Sequence, residues 1–250
     1  MKKTLLALSL LATASFTQPA FADGEAAGEE ASSGPWSVTL AVTSDYRFRG
    51  QSQKSRDPAV QGSIDFASES GFFAGVWASS IDFSDTLDFD SKIEIDLYAG
   101  YTFKLSENTE GSLKVTYYLY PDNPFSYEYA EFQGSLSHSI GDVTLSAELN
   151  YSPDYFNETG TAVALAGGLE VGLIDDLSAS GHVGYQWIEE NLFFGTPDYV
   201  YWDVGLTLSF LDHFSLDARY VGTDMSAVDC FGGTDLCESG FVATLSVTLP

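Results

Sequence analysis

Apolar and polar residues alternate with a period of two along most of the chain. Trp36, Val38, Leu40 and Val42 are interleaved with Ser37, Thr39, Ala41 and Thr43. Ile93, Ile95, Leu97, Ala99, Tyr101 and Phe103 are interleaved with Lys92, Glu94, Asp96, Tyr98, Gly100 and Thr102. The same rhythm recurs over residues 143–151, 177–187 and 241–249. Successive side chains of a strand point to opposite faces, so the pattern predicts strands with one apolar and one polar face. No stretch after residue 22 carries an apolar stripe of helical period over three turns.

Read throughout, the alternation predicts twelve strands near 36–49, 59–68, 72–83, 92–104, 110–120, 126–139, 142–152, 162–173, 176–187, 199–210, 214–223 and 240–249. The third is the least regular, because Phe72 and Phe73 are adjacent. Tight polar turns follow the even-numbered strands, such as Gly141-Asp142 and Asp175-Asp176. Longer links follow the odd-numbered ones. Short periplasmic turns and longer outer loops alternate in this way in outer-membrane barrels. The predicted fold is therefore all-β: a transmembrane antiparallel up-and-down β-barrel of about twelve strands, with both ends periplasmic. A soluble β-sandwich or small barrel would also alternate. Strands of this length in an unbroken meander favour the membrane barrel. Tyr46, Phe48, Tyr118, Tyr120, Tyr127, Tyr129, Tyr151, Tyr185, Trp187, Tyr199, Tyr201 and Trp202 gather at the strand ends nearest the longer links. They predict an outer aromatic girdle.

The first 22 residues read as a secretory leader. Lys2 and Lys3 precede a short apolar run, and Ala20-Phe21-Ala22 places small residues at a cleavage site. The expected organisation is a signal peptide over 1–22, a flexible lead-in over 23–35 and an outer-membrane barrel domain over 36–250. The expected location is the outer membrane of a Gram-negative bacterium.

Charge narrows the partners. Ten basic residues face 36 acidic ones, a net charge of −26, and two of the ten lie in the leader. Such a surface repels nucleic acid, so none is expected as a partner. Outer-membrane lipid and small polar solutes are the expected ones. Cys230 and Cys237, in CFGGTDLC, are placed to close a small disulfide loop in an oxidising compartment. A metal pair is the weaker reading, since no histidine is near. No glycine-rich phosphate loop, HExxH or calcium-loop pattern occurs, so no cofactor or metal is expected. Asp82, Asp85, Asp88 and Asp90 form an acidic cluster that reads as a solvated loop before it reads as a cation site.

Polar strand positions of a barrel point inward, because a charge facing hydrocarbon costs several kcal/mol, roughly 2–4 at mid-depth. The candidate lumen-lining residues are Asp45, Arg47, Arg49, Asp65, Lys92, Glu94, Asp96, Lys114, Glu148, Glu170, His182, Asp203, Asp217 and Arg219. Twelve strands enclose a narrow bore that such groups can partly bridge. Arg47 and Arg49 are expected to face Asp217 and Arg219 across the last strand. The resulting expectation is a porin or narrow channel for small polar solutes, favouring cations because acids outnumber bases. One alternative is a structural barrel with a plugged lumen. Another is a lipid-acting enzyme using His182 as base beside Ser178 and Ser180. With serines so frequent, such a pairing arises by chance, and no enzyme is expected.

Three strings stand out in the first third: Ser44-Asp45-Tyr46-Arg47-Phe48-Arg49-Gly50-Gln51-Ser52, Pro58-Ala59-Val60-Gln61-Gly62-Ser63-Ile64-Asp65 and Gly71-Phe72-Phe73-Ala74-Gly75-Val76-Trp77-Ala78-Ser79. Over residues 36 to 83 the chain resembles the TorF family of proteobacterial outer-membrane proteins. The resemblance implies an outer-membrane barrel and, by the family's name, a porin. It implies no catalytic residues.

Overall fold

A computed structural model describes residues 34–83, 91–122 and 127–250. The expected leader and nearly all of the lead-in lie outside the described residues, as do Asp85, Asp88 and Asp90. Among the described residues the first strand is β1 (Trp36–Thr43), followed by two very short strands, β2 (Arg47–Phe48) and β3 (Gln51–Ser52). Then come β4 (Ala59–Ala67), β5 (Phe72–Ser80), β6 (Ile93–Ser106), β7 (Thr109–Leu119), β8 (Tyr129–Ile140) and β9 (Val143–Ser152). The series ends with β10 (Ala162–Ile174), β11 (Leu177–Ile188), β12 (Tyr199–Phe210), β13 (Phe214–Thr223) and β14 (Gly240–Leu249). All except β2 and β3 form one closed barrel of antiparallel neighbours. The barrel shuts where β1 meets β14, from Val38↔Leu249 to Thr43↔Thr244.

The alternation decides which face meets lipid. Leu40, Ile64, Leu97, Leu113, Leu149, Leu165, Val183, Val204 and Leu245 are exposed on the outside. Gln61, Ser79, Glu94, Thr116, Glu131, Asn150, Gln186 and Thr244 are buried inside. A soluble fold would bury the first set and expose the second. The distribution fits a wall whose solvent is hydrocarbon, where only a closed ladder satisfies every backbone group. Tight turns close one end. Gly71 takes φ 96° there, and a Cβ on it would strike the Thr102 carbonyl, so glycine is required. The wider links, including the disulfide loop, close the other end.

The first strand is shorter than the alternation predicts. It ends at Thr43, not 49, and the chain then folds into the bore. Asp45, Arg47 and Arg49 therefore sit on an inward loop carrying the β2–β3 hairpin, not on the wall. The reason is pairing. Thr43 faces Ala59, the first residue of β4, so a longer β1 would run past that neighbour, while on the other side β14 holds only Ser44, its amide at the Ala243 carbonyl, before the chain leaves. Arg49 at φ 46° and Gly50 at φ 83° make the turn, and Gly50 is pressed against Thr223 and the Gly222 carbonyl. The third predicted strand likewise stops at Ser80.

The aromatic girdle is also smaller than expected. Tyr151, Tyr185 and Trp187 are exposed on the outer face. Tyr46, Phe48, Tyr118, Tyr120, Tyr127, Tyr129 and Tyr199 are buried inside the barrel instead. Tyr118 shares its face with Thr116, and Tyr129 shares its face with Glu131, so strand geometry turns both inward.

A lysine in place of outward Leu165 should destabilise the barrel by roughly 2–4 kcal/mol, and Ser146→Lys, on the inner face, by much less. Urea unfolding in lipid vesicles checks the difference; equal losses would contradict the face assignment.

Candidate functional site

The interior changes character along the barrel axis. Toward the tight turns, several inward positions are small and half-buried, as at Ser112, Ser135, Ser146, Gly168, Ser178 and Ser180, beside larger ones such as Phe73, Asp65 and Asp217. Toward the wide links, the bore is filled by the β2–β3 hairpin and aromatic rings.

The hairpin is held by two guanidinium groups. Arg49 donates to Glu131 Oε1 on β8 at 2.8 Å and to Gln186 Oε1 on β11 at 2.9 Å. Its guanidinium lies 4.7 Å above the Phe48 ring, and Tyr155 and Tyr201 are further hydrogen-bond partners. The Arg49–Glu131 ion pair therefore spans from the plug to the wall. Arg47 binds Asp45 at 2.5 Å, and donates to the carbonyls of Gly50, Leu236 and Glu238 at 3.0, 3.1 and 2.9 Å. Leu236 lies within, and Glu238 directly after, the loop stapled by the Cys230–Cys237 disulfide, whose Cα atoms are 5.9 Å apart. The Ser52 amide also donates to Leu236 at 2.8 Å. Hairpin and disulfide loop thus form one unit. Burial pushes the Asp45 carboxyl above the usual carboxylate range, against the pull of Arg47 and the Ser52 hydroxyl.

Most of the other candidate residues fall into two groups. On β4 and β6, Asp65, Glu94 and Asp96 are buried. Tyr98 and Ser63 donate to Asp65, and Tyr46 donates to Glu94 at 2.6 Å. On β11 to β13, His182 Nδ1 lies 2.9 Å from Asp203, Arg219 donates to that same oxygen at 2.6 Å, and Arg219 also grips Asp217 at 2.6 and 2.7 Å. This second network involves neither Arg47 nor Arg49. The expected approach of those arginines to Asp217 and Arg219 is not observed, because the hairpin turns toward β8 and β11. Between the groups, Lys114 lies 6.0 Å from the Tyr98 ring centre, and Asn150 donates to Glu148. Glu170 is half-buried on β10. Lys92 is the exception: it is exposed at the mouth and pairs with Asp82 at 2.7 Å. Glu131 and Gln186 were not among the sequence candidates. Their inward strand position was the available signal.

Rings from several links pack above the hairpin. Phe231 meets Phe194 at 5.6 Å, Phe194 meets Tyr155 at 5.5 Å, and Tyr155 meets Tyr129 at 4.8 Å. Tyr129 stacks on Tyr118 at 4.3 Å. A chain of aromatic contacts therefore runs from the disulfide loop to the wall. It encloses a cavity of about 40 Å³ whose lining includes Phe48, Gln51, Glu94, Tyr120 and Phe156.

Arg49→Met strands the Glu131 carboxylate in the bore and should destabilise the barrel by roughly 3–5 kcal/mol. Adding Glu131→Met should recover much of that loss, because no unpaired charge then remains. Denaturant titration of both variants checks the pairing; additive losses would mean that the two residues are independent.

Among curated proteins, none matches this sequence. In three dimensions the chain is similar to the KdgM porin, at 8% identity and a TM-score of 0.58, over 86% of this chain and 98% of that one. It is also similar to a KdgM porin in complex with disordered oligogalacturonate, at 7% identity and a TM-score of 0.55, with the same coverage. Likeness at this identity establishes a shared outer-membrane barrel fold. The TorF name is not the one matched. From residue 27 to residue 249 the sequence matches the family described as bacterial protein of unknown function (Gcw_chp), and the chain belongs to that family.

Proposed function

We propose that the protein is a narrow outer-membrane channel for small polar solutes, shut at its outer half by its own inward loop. The observation that carries this reading is the nature of the obstruction. The bore is blocked by a hairpin entering from a link, not by the strands themselves, and that hairpin is held through a few directional polar contacts. Displacing it would leave a polar, charged inner wall. The candidate residues named above are proposed to line this passage once it is open. The TorF-like strings of the first third, which include the hairpin, belong to the same proposal.

Interior charge sets the expected preference. Asp65, Glu94, Asp96, Glu131, Glu148, Asp203 and Asp217 outnumber Arg47, Arg49, Lys114 and Arg219, so cations are favoured. One similar structure holds oligogalacturonate, an acidic sugar chain. The charge balance here points to solutes of the opposite sign. A second reading, a structural barrel with a permanent plug, draws support from the full set of bonds around Arg49.

Planar-bilayer conductance separates the two. The wild-type barrel should show small or intermittent cation-selective currents. Replacing residues 46–53 with a short Gly-Ser linker should give larger, steady currents of the same selectivity. Silence from both proteins would leave the structural reading, and a preference for anions would overturn the proposed selectivity.

We also propose that residues 1–22 direct export and are removed, and that residues 23–35 form a lead-in to the barrel. N-terminal sequencing of the protein from the membrane fraction should begin at Asp23. A start at Met1 would contradict cleavage.

A further inference from the structure

We infer that the cavity above the hairpin is a binding site for a small methylated ammonium ion, with Glu94 as its counter-charge and the surrounding rings as its cage. Three observations carry this. The first is the lining. Phe48, Tyr118, Tyr120, Tyr129, Tyr155 and Phe156 present aromatic rings to one small space. The negative faces of such rings attract a cation within about 6 Å, most strongly where water is excluded. Phe156 is the hub, with ring centres of Tyr120 and Tyr127 at 5.3 and 5.1 Å.

The second observation is charge. Glu94 is 2% exposed and lines the cavity. Its partners are the hydroxyls of Tyr46 and Tyr120. No arginine or lysine pairs with it among the described residues, and residues 84–90 and 123–126 contain neither type. A buried carboxylate held only by phenols is costly until a cation joins it. The third is an unmet donor. Gln51 lines the same cavity, and its side-chain nitrogen is buried with no hydrogen-bond partner among the described residues. It suits an accepting oxygen carried by the same ligand.

Size and access narrow the class. A cavity of about 40 Å³ accepts roughly three water-sized groups. Three methyl groups of a methylated ammonium head match that space, with the fourth substituent directed to the open wide-link end, whereas a sugar ring exceeds it. Phe83, Phe156, Phe194 and Phe231 belong to the wide links, so the site is reached from that end. The inference deepens the cation-favouring reading of the channel. It remains separable from it, since binding in the plug does not require passage.

The test is isothermal titration calorimetry on the folded, full barrel in detergent, with heat-modifiable gel migration as the folding control. Tetramethylammonium chloride should bind saturably. The uncharged analogue tert-butanol and sodium chloride should bind at least tenfold more weakly. Glu94→Gln should weaken tetramethylammonium at least tenfold. Phe156→Leu keeps apolar bulk but removes a ring from an exposed link, and should weaken it severalfold while the barrel stays folded. Choline, which adds an oxygen, should bind more tightly than tetramethylammonium to the wild-type protein and lose that advantage in Gln51→Leu. Equal binding of tert-butanol, equal binding of sodium, or unchanged affinity in folded Glu94→Gln would each overturn the site. Saturable binding without bilayer current would sink passage and leave the site standing.

Discussion

Hydrocarbon offers no partner to a peptide group, and that constraint organises the whole chain. Every N–H and C=O in the wall must find its complement in a neighbouring strand. The ladder therefore closes on itself, β1 against β14, and no edge remains. Loops are confined to the two ends. Alternation then has a fixed meaning: apolar outward, polar inward. Small inner side chains at Ser146, Gly168 and Ser180 line one half of the bore beside the His182–Asp203–Arg219 network. On the other half, the chain itself folds inward.

The occupying hairpin obeys the same rule by other means. Its backbone and side chains are withdrawn from bulk water, so each polar group needs a partner nearby. Arg47 and Arg49 meet much of that demand. One ties the hairpin to the disulfide loop, and the other ties it to β8 and β11 of the wall. Buried pairs of this kind add little net stability compared with well-packed apolar groups, but breaking one partner is costly. Their effect is to fix a single position for the plug. The aromatic chain from Phe231 to Tyr118 fills the space that the polar contacts leave.

The wall was legible in the sequence because its information is local. Period-two alternation and the alternating length of the links located all twelve barrel strands, and the Cys230–Cys237 pairing followed from spacing and compartment. The plug was not legible by alternation alone. Residues 44–49 continue the rhythm of β1, although the backbone has left the wall. A clue lay in the short partner on one side: β4 begins opposite Thr43, so six further residues had nothing to pair with on the β4 side. The inward face of Tyr118 and Tyr129 could also have been read from their strand-mates. The Arg49–Glu131 pair lies beyond such reading, since its members are 82 positions apart and meet only once the barrel is closed.

The seam between β1 and β14 has a kinetic consequence. Thr39 and Thr248 share a hydroxyl contact across 209 positions. Nearly every other pairing is between neighbours and can form early, whereas this one awaits almost the entire chain. Contacts so distant in sequence are slow to form, because loop-closure entropy is met before any gain returns. Until they form, two strand edges with lipid-facing leucines and valines are open to pairing with other copies. The last step of folding is therefore the one most exposed to aggregation, and a chaperone or an assembly machine would have most to protect at these two edges.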